Sequence, residues 1–145
     1  MYKTILVPID VSEDDLTELV ISHVNELQKI SGASVHFLAV TAPISTYFRY
    51  GRTMIPTDFP DDEKQAEAIA KELKKKIKLF SIPEDKIHSY SSIGSVKDCI
   101  LDTAEKINAD LIILGSRRPS MSTYLLGSNA ASVVRYAKTS VMIIR

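Results

Sequence analysis

The chain has 145 residues, with 18 Lys or Arg against 18 Asp or Glu, a formal charge of +0, 45% hydrophobic residues and a single cysteine. This is the composition of one globular domain spanning 1–145, and it argues against disorder as the main state. Balanced charge offers no bulk basic field to a nucleic-acid backbone or an anionic membrane surface, so neither is expected as a partner. The lone Cys99 has no intramolecular disulfide partner. With no apolar leader and no apolar run near ~18 residues, the chain reads as a soluble cytoplasmic protein.

No internal repeat at a short fixed period is present; short apolar runs alternate with amphipathic segments. A first strand is predicted over Tyr2–Ile9. Ser12, with Asp15 three residues on, reads as the cap of a first helix whose inward positions are Leu16, Leu19, Val20, Val24, Leu27 and Ile30 and whose end is Gly32. A second strand spans Val35–Thr41. After an aperiodic, aromatic-rich stretch, a second helix opens at Asp61, Asp62 and Glu63 and closes among Lys74, Lys75, Lys76 and Lys78, which suits the helix dipole. Its inward stripe is Ala66, Ile69, Leu73, Ile77 and Phe80. A strand over Lys86–Ser91 and a helix after Gly94–Ser95, with Val96, Ile100, Ala104 and Ile107 inward, come next. The continuously apolar Leu111–Leu114 has the character of a strand buried on both faces. A fourth helix starts near Gly127–Ser128 with Val133, Val134 and Ala137 inward, and Val141–Ile144 closes the chain as a fifth strand.

Strand–helix alternation of this kind implies right-handed crossovers and a parallel sheet covered on both faces, a doubly wound α/β domain. Ligands of such sheets bind beyond the carboxyl ends of the strands, where the winding reverses. The segments to search are therefore Pro8–Ser12, Val40–Pro43, Ser92–Ser95 and Gly115–Asn129.

Gly115-Ser116-Arg117-Arg118 leaves one strand, and Gly127-Ser128-Asn129 opens a helix. The unpaired N–H groups of a helix start attract anions, and the Ser116 and Ser128 hydroxyls and the two arginines suit phosphate; a strand exit and a helix cap joined by a solvated loop is the other reading. Asp10, at the end of the first strand, suits a ribose hydroxyl or Mg²⁺, or a second helix cap. There is neither a P-loop nor a G-x-G-x-x-G fingerprint. His23, His36 and His88 are scattered along the chain without metal-ligand spacing, and Cys99, next to a core position, reads as a buried structural thiol. The stretch 42–59, with Tyr47, Phe48, Arg49, Tyr50 and Arg52, is read as a cover for a ligand or a contact to another subunit, or as a surface loop.

The opening Tyr2-Lys3-Thr4-Ile5-Leu6-Val7-Pro8-Ile9-Asp10-Val11-Ser12, the segment Ala109-Asp110-Leu111-Ile112-Ile113-Leu114-Gly115-Ser116, and Leu126-Gly127-Ser128-Asn129-Ala130 followed by Thr139-Ser140-Val141-Met142-Ile143-Ile144 together resemble the universal stress protein family over essentially the whole chain. The segment from Ser116 to Ala130 is most similar to the family's enterobacterial F-type branch, small single-domain proteins that bind ATP. The resemblance implies a five-stranded sheet in the order 3-2-1-4-5 and an ATP site between strands 1 and 4. Pro8 and Ile9 would form its wall, Asp10 would lie by the ribose or a Mg²⁺, and Val40 would meet adenine through its backbone. Gly115 would permit close approach, and Gly127, Ser128 and Asn129 would hold phosphates. ATP-binding members carry G-x-x-G, nine residues, then G-[ST]; here Arg118 stands at the middle Gly and the spacing to Gly127 is one residue short.

The leading expectation is a cytoplasmic stress-response protein that binds ATP without substantial turnover, as a homodimer or higher oligomer joined through the last strand. A slow ATP-cleaving or nucleotidyl-transfer enzyme of the same fold is the second reading, and an interaction protein with a vestigial pocket is the third.

Overall fold

The expected alternation is present in a computed structural model, which describes residues 1–41, 62–116 and 127–145. In chain order the elements are β1 (Thr4–Pro8), α1 (Asp14–Ser31), β2 (Ser34–Thr41), α2 (Asp62–Ile77), a 3-10 turn (Glu84–Lys86), β3 (Ile87–Ile93), α3 (Val96–Lys106), β4 (Leu111–Gly115), α4 (Ser128–Tyr136) and β5 (Ser140–Ile144). The strands form one parallel sheet in the order β3-β2-β1-β4-β5. The aromatic stretch 42–59, and Arg117 and Arg118, lie outside the described residues.

Period-2 alternation divides each inner strand between two cores. Ile5, Val7, Val35, Phe37 and Ile113 pack with Val20 and Val24 of α1 and Leu73 and Ile77 of α2. On the other face Leu6, Leu38, Ile112 and Leu114 meet Ile100 and Ala104 of α3 and Ala130 and Val133 of α4. Burial on both sides is why these strands read as nearly continuous apolar runs. Each such side chain contributes about 1.5–3 kcal/mol when fully removed from water.

Several local expectations are corrected. Ser12 does not cap α1: its N–H and hydroxyl both donate to Asp10 Oδ1, at 3.0 and 2.5 Å, and the cap position falls on Glu13 without a side-chain bond. The Asp10 carboxylate, two residues back, takes both Ser12 donors in an Asx-type turn, so the hydroxyl is already engaged when the helix begins. Gly32 does end α1, at φ +68° with its N–H on the Gln28 carbonyl. Ile30 is 72% exposed, because the buried stripe runs through Thr17, Val20, Val24 and Gln28 and Ile30 lies about 200° from Gln28 at 100° per residue. Val134 is 46% exposed for the same reason, one position off the stripe of Ala130 and Val133. Lys86 belongs to the 3-10 turn rather than to β3. Cys99 is half-buried rather than a core thiol, and burial, followed by Asp102 and Asp98, raises its pKa, which opposes a nucleophilic role.

The pairing of β1 with β4 differs from every other pair in the sheet. At its amino end it is clamped by Asp110, whose carboxylate accepts from the Lys3 N–H at 2.8 Å and the Thr4 N–H at 3.1 Å while its own N–H donates to the Thr4 carbonyl at 3.0 Å. The ladder then runs through Ile5↔Leu111 and Leu6↔Ile112 and stops. By contrast, β1 stays on β2 through Pro8↔Leu38, and β4 stays on β5 through Gly115↔Ile144.

Register also assembles what looked scattered in sequence. His36 and His88 are direct partners on β2 and β3, with rings stacked 4.3 Å apart at 13°, and His36 Nδ1 lies 2.8 Å from the Tyr90 hydroxyl. Burial, then the neighbouring His88, lowers the pKa of His36. The fold therefore favours neutral His36. The stability this group supplies is complete above the unfolded pKa near 6.5 and is lost as pH falls through that value toward the lowered folded one.

Two outcomes follow for urea unfolding. Asp110→Ala should reduce the unfolding free energy by about 2 kcal/mol, the worth of backbone N–H bonds to a charged acceptor; an unchanged midpoint would mean the clamp is redundant. The loss of stability from pH 7 to pH 5 should be shallower in His36→Phe, which stacks but does not titrate, and an identical slope would remove His36 from the acid response.

Candidate functional site

Beyond the last β1–β4 pair the two strand ends are held by their outer partners. The Ile9 N–H donates to the Leu38 carbonyl on β2 at 2.8 Å, and the Ser116 N–H donates to the Ile144 carbonyl on β5 at 2.8 Å. The seam between β1 and β4 thus opens at its carboxyl end, which is also where the winding direction reverses. A cleft of about 260 Å³ occupies this place, lined by Pro8, Ile9 and Asp10 of the β1 exit, Leu38 and Val40 of β2, Val96 and Ile100 of α3, Leu114 and Gly115 of β4, and Gly127 to Ala130 at the start of α4, with Leu16 of α1. Its size is near the lower end of the ~300–1,000 Å³ typical of small-molecule sites.

The walls divide chemically. Leu38, Val40, Val96, Ile100 and Leu114 make an apolar slot. The start of α4 makes the polar side: its first intrahelical bond runs from the Ala131 N–H to the Gly127 carbonyl, so the N–H groups of Ser128, Asn129 and Ala130 precede any helical acceptor. Gly127 provides no side-chain cap, and the first turn holds no acidic residue. The other helix starts differ. Asp14 and Asp15 neutralise the first turn of α1, and at α3 the Ser95 side chain accepts from the Asp98 N–H. Among the described residues, therefore, no cap or acid in the first turn matches the partial positive charge at the start of α4, where it faces the cleft.

Asp10 stands at the end of β1, with Oδ1 engaged by Ser12. Gly115 is closely packed: a Cβ there would lie 3.0 Å from the Leu16 carbonyl oxygen, so a side chain would need α1 to give by a few tenths of an ångström.

Of the residues singled out from sequence, Pro8, Ile9, Asp10, Val40, Gly115, Gly127, Ser128 and Asn129 converge on this cleft. Ser12 acts one step removed, on Asp10. Ser116 is buried behind the strand exit with its N–H on β5. Sequence reasoning assigned Val96 and Ile100 to the core alone; they also wall the slot, and their i,i+4 spacing at the start of a helix following a strand's carboxyl end was the available signal. A larger cavity of about 320 Å³, lined by Leu101, Glu105, Tyr136 and Lys138 among others, lies at the amino ends of β4 and β5, away from the switch point. Glu105 and Lys138 pair with each other there at 2.7 Å. Among the described residues no group of three or more His, Cys, Asp or Glu is arranged to hold a metal ion.

Comparison with known proteins agrees with this fold. The model of the universal stress protein family matches residues 1–145. The chain is 37% identical over 145 residues to universal stress protein G of Salmonella typhimurium, covering 100% of both chains. Among solved structures it is similar to a universal stress protein described in complex with cAMP, at TM-score 0.67 and 22% identity, covering 99% of this chain and 97% of that one. It is also similar to the universal stress protein from Archaeoglobus fulgidus in complex with dAMP, at TM-score 0.60 and 18% identity, covering 99% and 98%.

Proposed function

The chain belongs to the universal stress protein family, and we propose that it is a cytoplasmic, ATP-binding member whose bound state is presented by a homo-oligomer joined through β5. The observation that carries the nucleotide reading is the uncapped, acid-free start of α4 facing an apolar slot across the open seam. A nucleotide has matching parts. Its base fills the slot between Val40, Val96 and Leu114, with main-chain contact at Val40, and its phosphates take the N–H groups of Ser128, Asn129 and Ala130 and the Ser128 hydroxyl. Asp10 meets the ribose or the cation. The two solved relatives described with cAMP and dAMP support an adenine nucleotide as the ligand class.

Asp10 is the carboxylate of the cleft lining, and no three-ligand cluster accompanies it among the described residues. That set suits Mg²⁺ arriving on the phosphates, since this ion is commonly held by one or two carboxylates plus substrate oxygens and waters. When bound, the ion neutralises phosphate charge; Asp10 and Ser128 are the residues that would hold it.

The oligomer reading rests on the edge of the sheet. The half-buried Val141, Met142 and Ile143 make β5 an apolar edge strand, a template for pairing unless it is covered.

Isothermal titration with Mg-ATP should give saturable binding, and Ser128→Pro should weaken it at least about tenfold with the melting temperature retained. Proline is well accepted at the first helical position and follows Gly127 at ψ 151° without strain, so it removes one N–H donor and the hydroxyl while leaving α4 intact. Absence of saturation at millimolar ATP would overturn the nucleotide reading. Sedimentation at micromolar concentration should show at least a dimer; a clean monomer would overturn the β5 reading.

A further inference from the structure

Behind the cleft lies a second, smaller chamber of about 40 Å³. Pro8, Ile9, Asp10, Leu16, Leu114 and Gly115 line both spaces; Thr17 is the residue that lines the chamber alone. Thr17 is 2% exposed, and its Oγ1 has no hydrogen-bond partner among the described residues. The usual helical solution, a bond back to the carbonyl four residues earlier, is not made, and even the Thr17 N–H reaches the Glu13 carbonyl only at 3.4 Å. A buried hydroxyl left in this way is costly, and native structures satisfy such groups with protein or with ordered water. A single water needs roughly 10–15 Å³ and two to four polar partners. The chamber exceeds that volume and lies where the β1–β4 ladder has stopped, with Pro8, Asp10, Leu114 and Gly115 lining it beside Thr17.

We propose that this chamber is a one-molecule polar subsite of the cleft, holding a buried water on Thr17 Oγ1 that ties the first turn of α1 to the parted ends of β1 and β4. Thr17 is then a positioning residue: through this water it fixes the Asp10 turn against which the ligand seats. The hydration itself follows from the chamber, whereas the effect on affinity rests on the nucleotide reading above.

The test compares Thr17→Val, which keeps shape and β-branching but removes the hydroxyl, with Thr17→Ser, which keeps the hydroxyl, in the full chain. The valine variant should show a lower urea midpoint and about fivefold weaker Mg-ATP binding, the net worth of one neutral hydrogen bond. The serine variant should retain both. A crystal structure should place a water within about 3.2 Å of Thr17 Oγ1. A valine variant as stable as the wild type or more so, with no such water, means that an unsatisfied hydroxyl was simply removed and overturns the proposal. A lower midpoint with unchanged affinity overturns the positioning role. If the wild type itself does not bind Mg-ATP, the nucleotide reading fails on its own account, and the urea midpoints and the water position still decide the subsite.

Discussion

The structure depends on one asymmetric seam. β1 and β4 are the strands from which the chain winds in opposite directions, and they are tied at one end only. At the amino end Asp110 offers a carboxylate to two successive main-chain donors of the neighbouring strand. At the carboxyl end the Ile9 and Ser116 N–H groups bond outward, to β2 and β5. A parallel sheet paired along its full length would bury these backbone groups in a ladder and leave no room for a ligand. Here the ladder stops after two residue pairs, and the cleft is the space where it stops.

That opening acquires chemistry from what surrounds it. Both faces of the inner strands are covered, so the mouth of the seam is bordered by apolar side chains belonging to the second core, including Leu38, Ile100 and Leu114. Apolar walls of this kind lower the local dielectric, which strengthens any polar interaction at the rim. The rim is provided by α4, whose first turn has neither a capping side chain nor an acid, while α1 carries Asp14 and Asp15 and α3 has Ser95. Equal totals of acidic and basic residues conceal this arrangement. The helix starts at the same edge of the sheet differ in what neutralises them, and the arrangement in space is what singles out one of them for the proposed phosphate contact.

Much of this was legible because its signals are local. Strand runs such as Leu111–Leu114, the glycine stop at Gly32 and the helix opening at Gly127–Ser128 are set by neighbours a few residues away, and they stand as read. The errors have a common origin in competition between near-equivalent positions. Ile30 and Val134 are apolar and adjacent to the true stripes, and residue type alone does not say which side of a helix meets the sheet. Ser12 is a good cap by type, but Asp10 engages it first. Contacts distant in sequence were not legible: the stacking of His36 on His88 exists only because parallel register places them opposite one another. Val96 and Ile100 illustrate a further limit, since an apolar residue that walls a ligand slot and one that fills a core give the same pattern.

The two edges of the sheet connect the proposed binding and proposed assembly. β3 presents exposed His88, Ser89 and Tyr90, polar groups that blunt an edge against further pairing, whereas β5 is apolar along Val141 to Ile144. A second copy therefore gains more by adding to β5. The same strand is joined to the cleft by a short path: Gly115 lines the ligand space, its neighbour Ser116 donates to Ile144 at 2.8 Å, and Gly115 is in register with Ile144. A ligand that orders the exit of β4 thus acts directly on the last residues of the strand through which the oligomer would form. In a sheet that stayed paired along β1 and β4, that exit would be fixed already and nothing bound there would change it. The open seam is what would give the proposed ligand and the proposed partner a shared element, with Gly115 and Ser116 as the link between them.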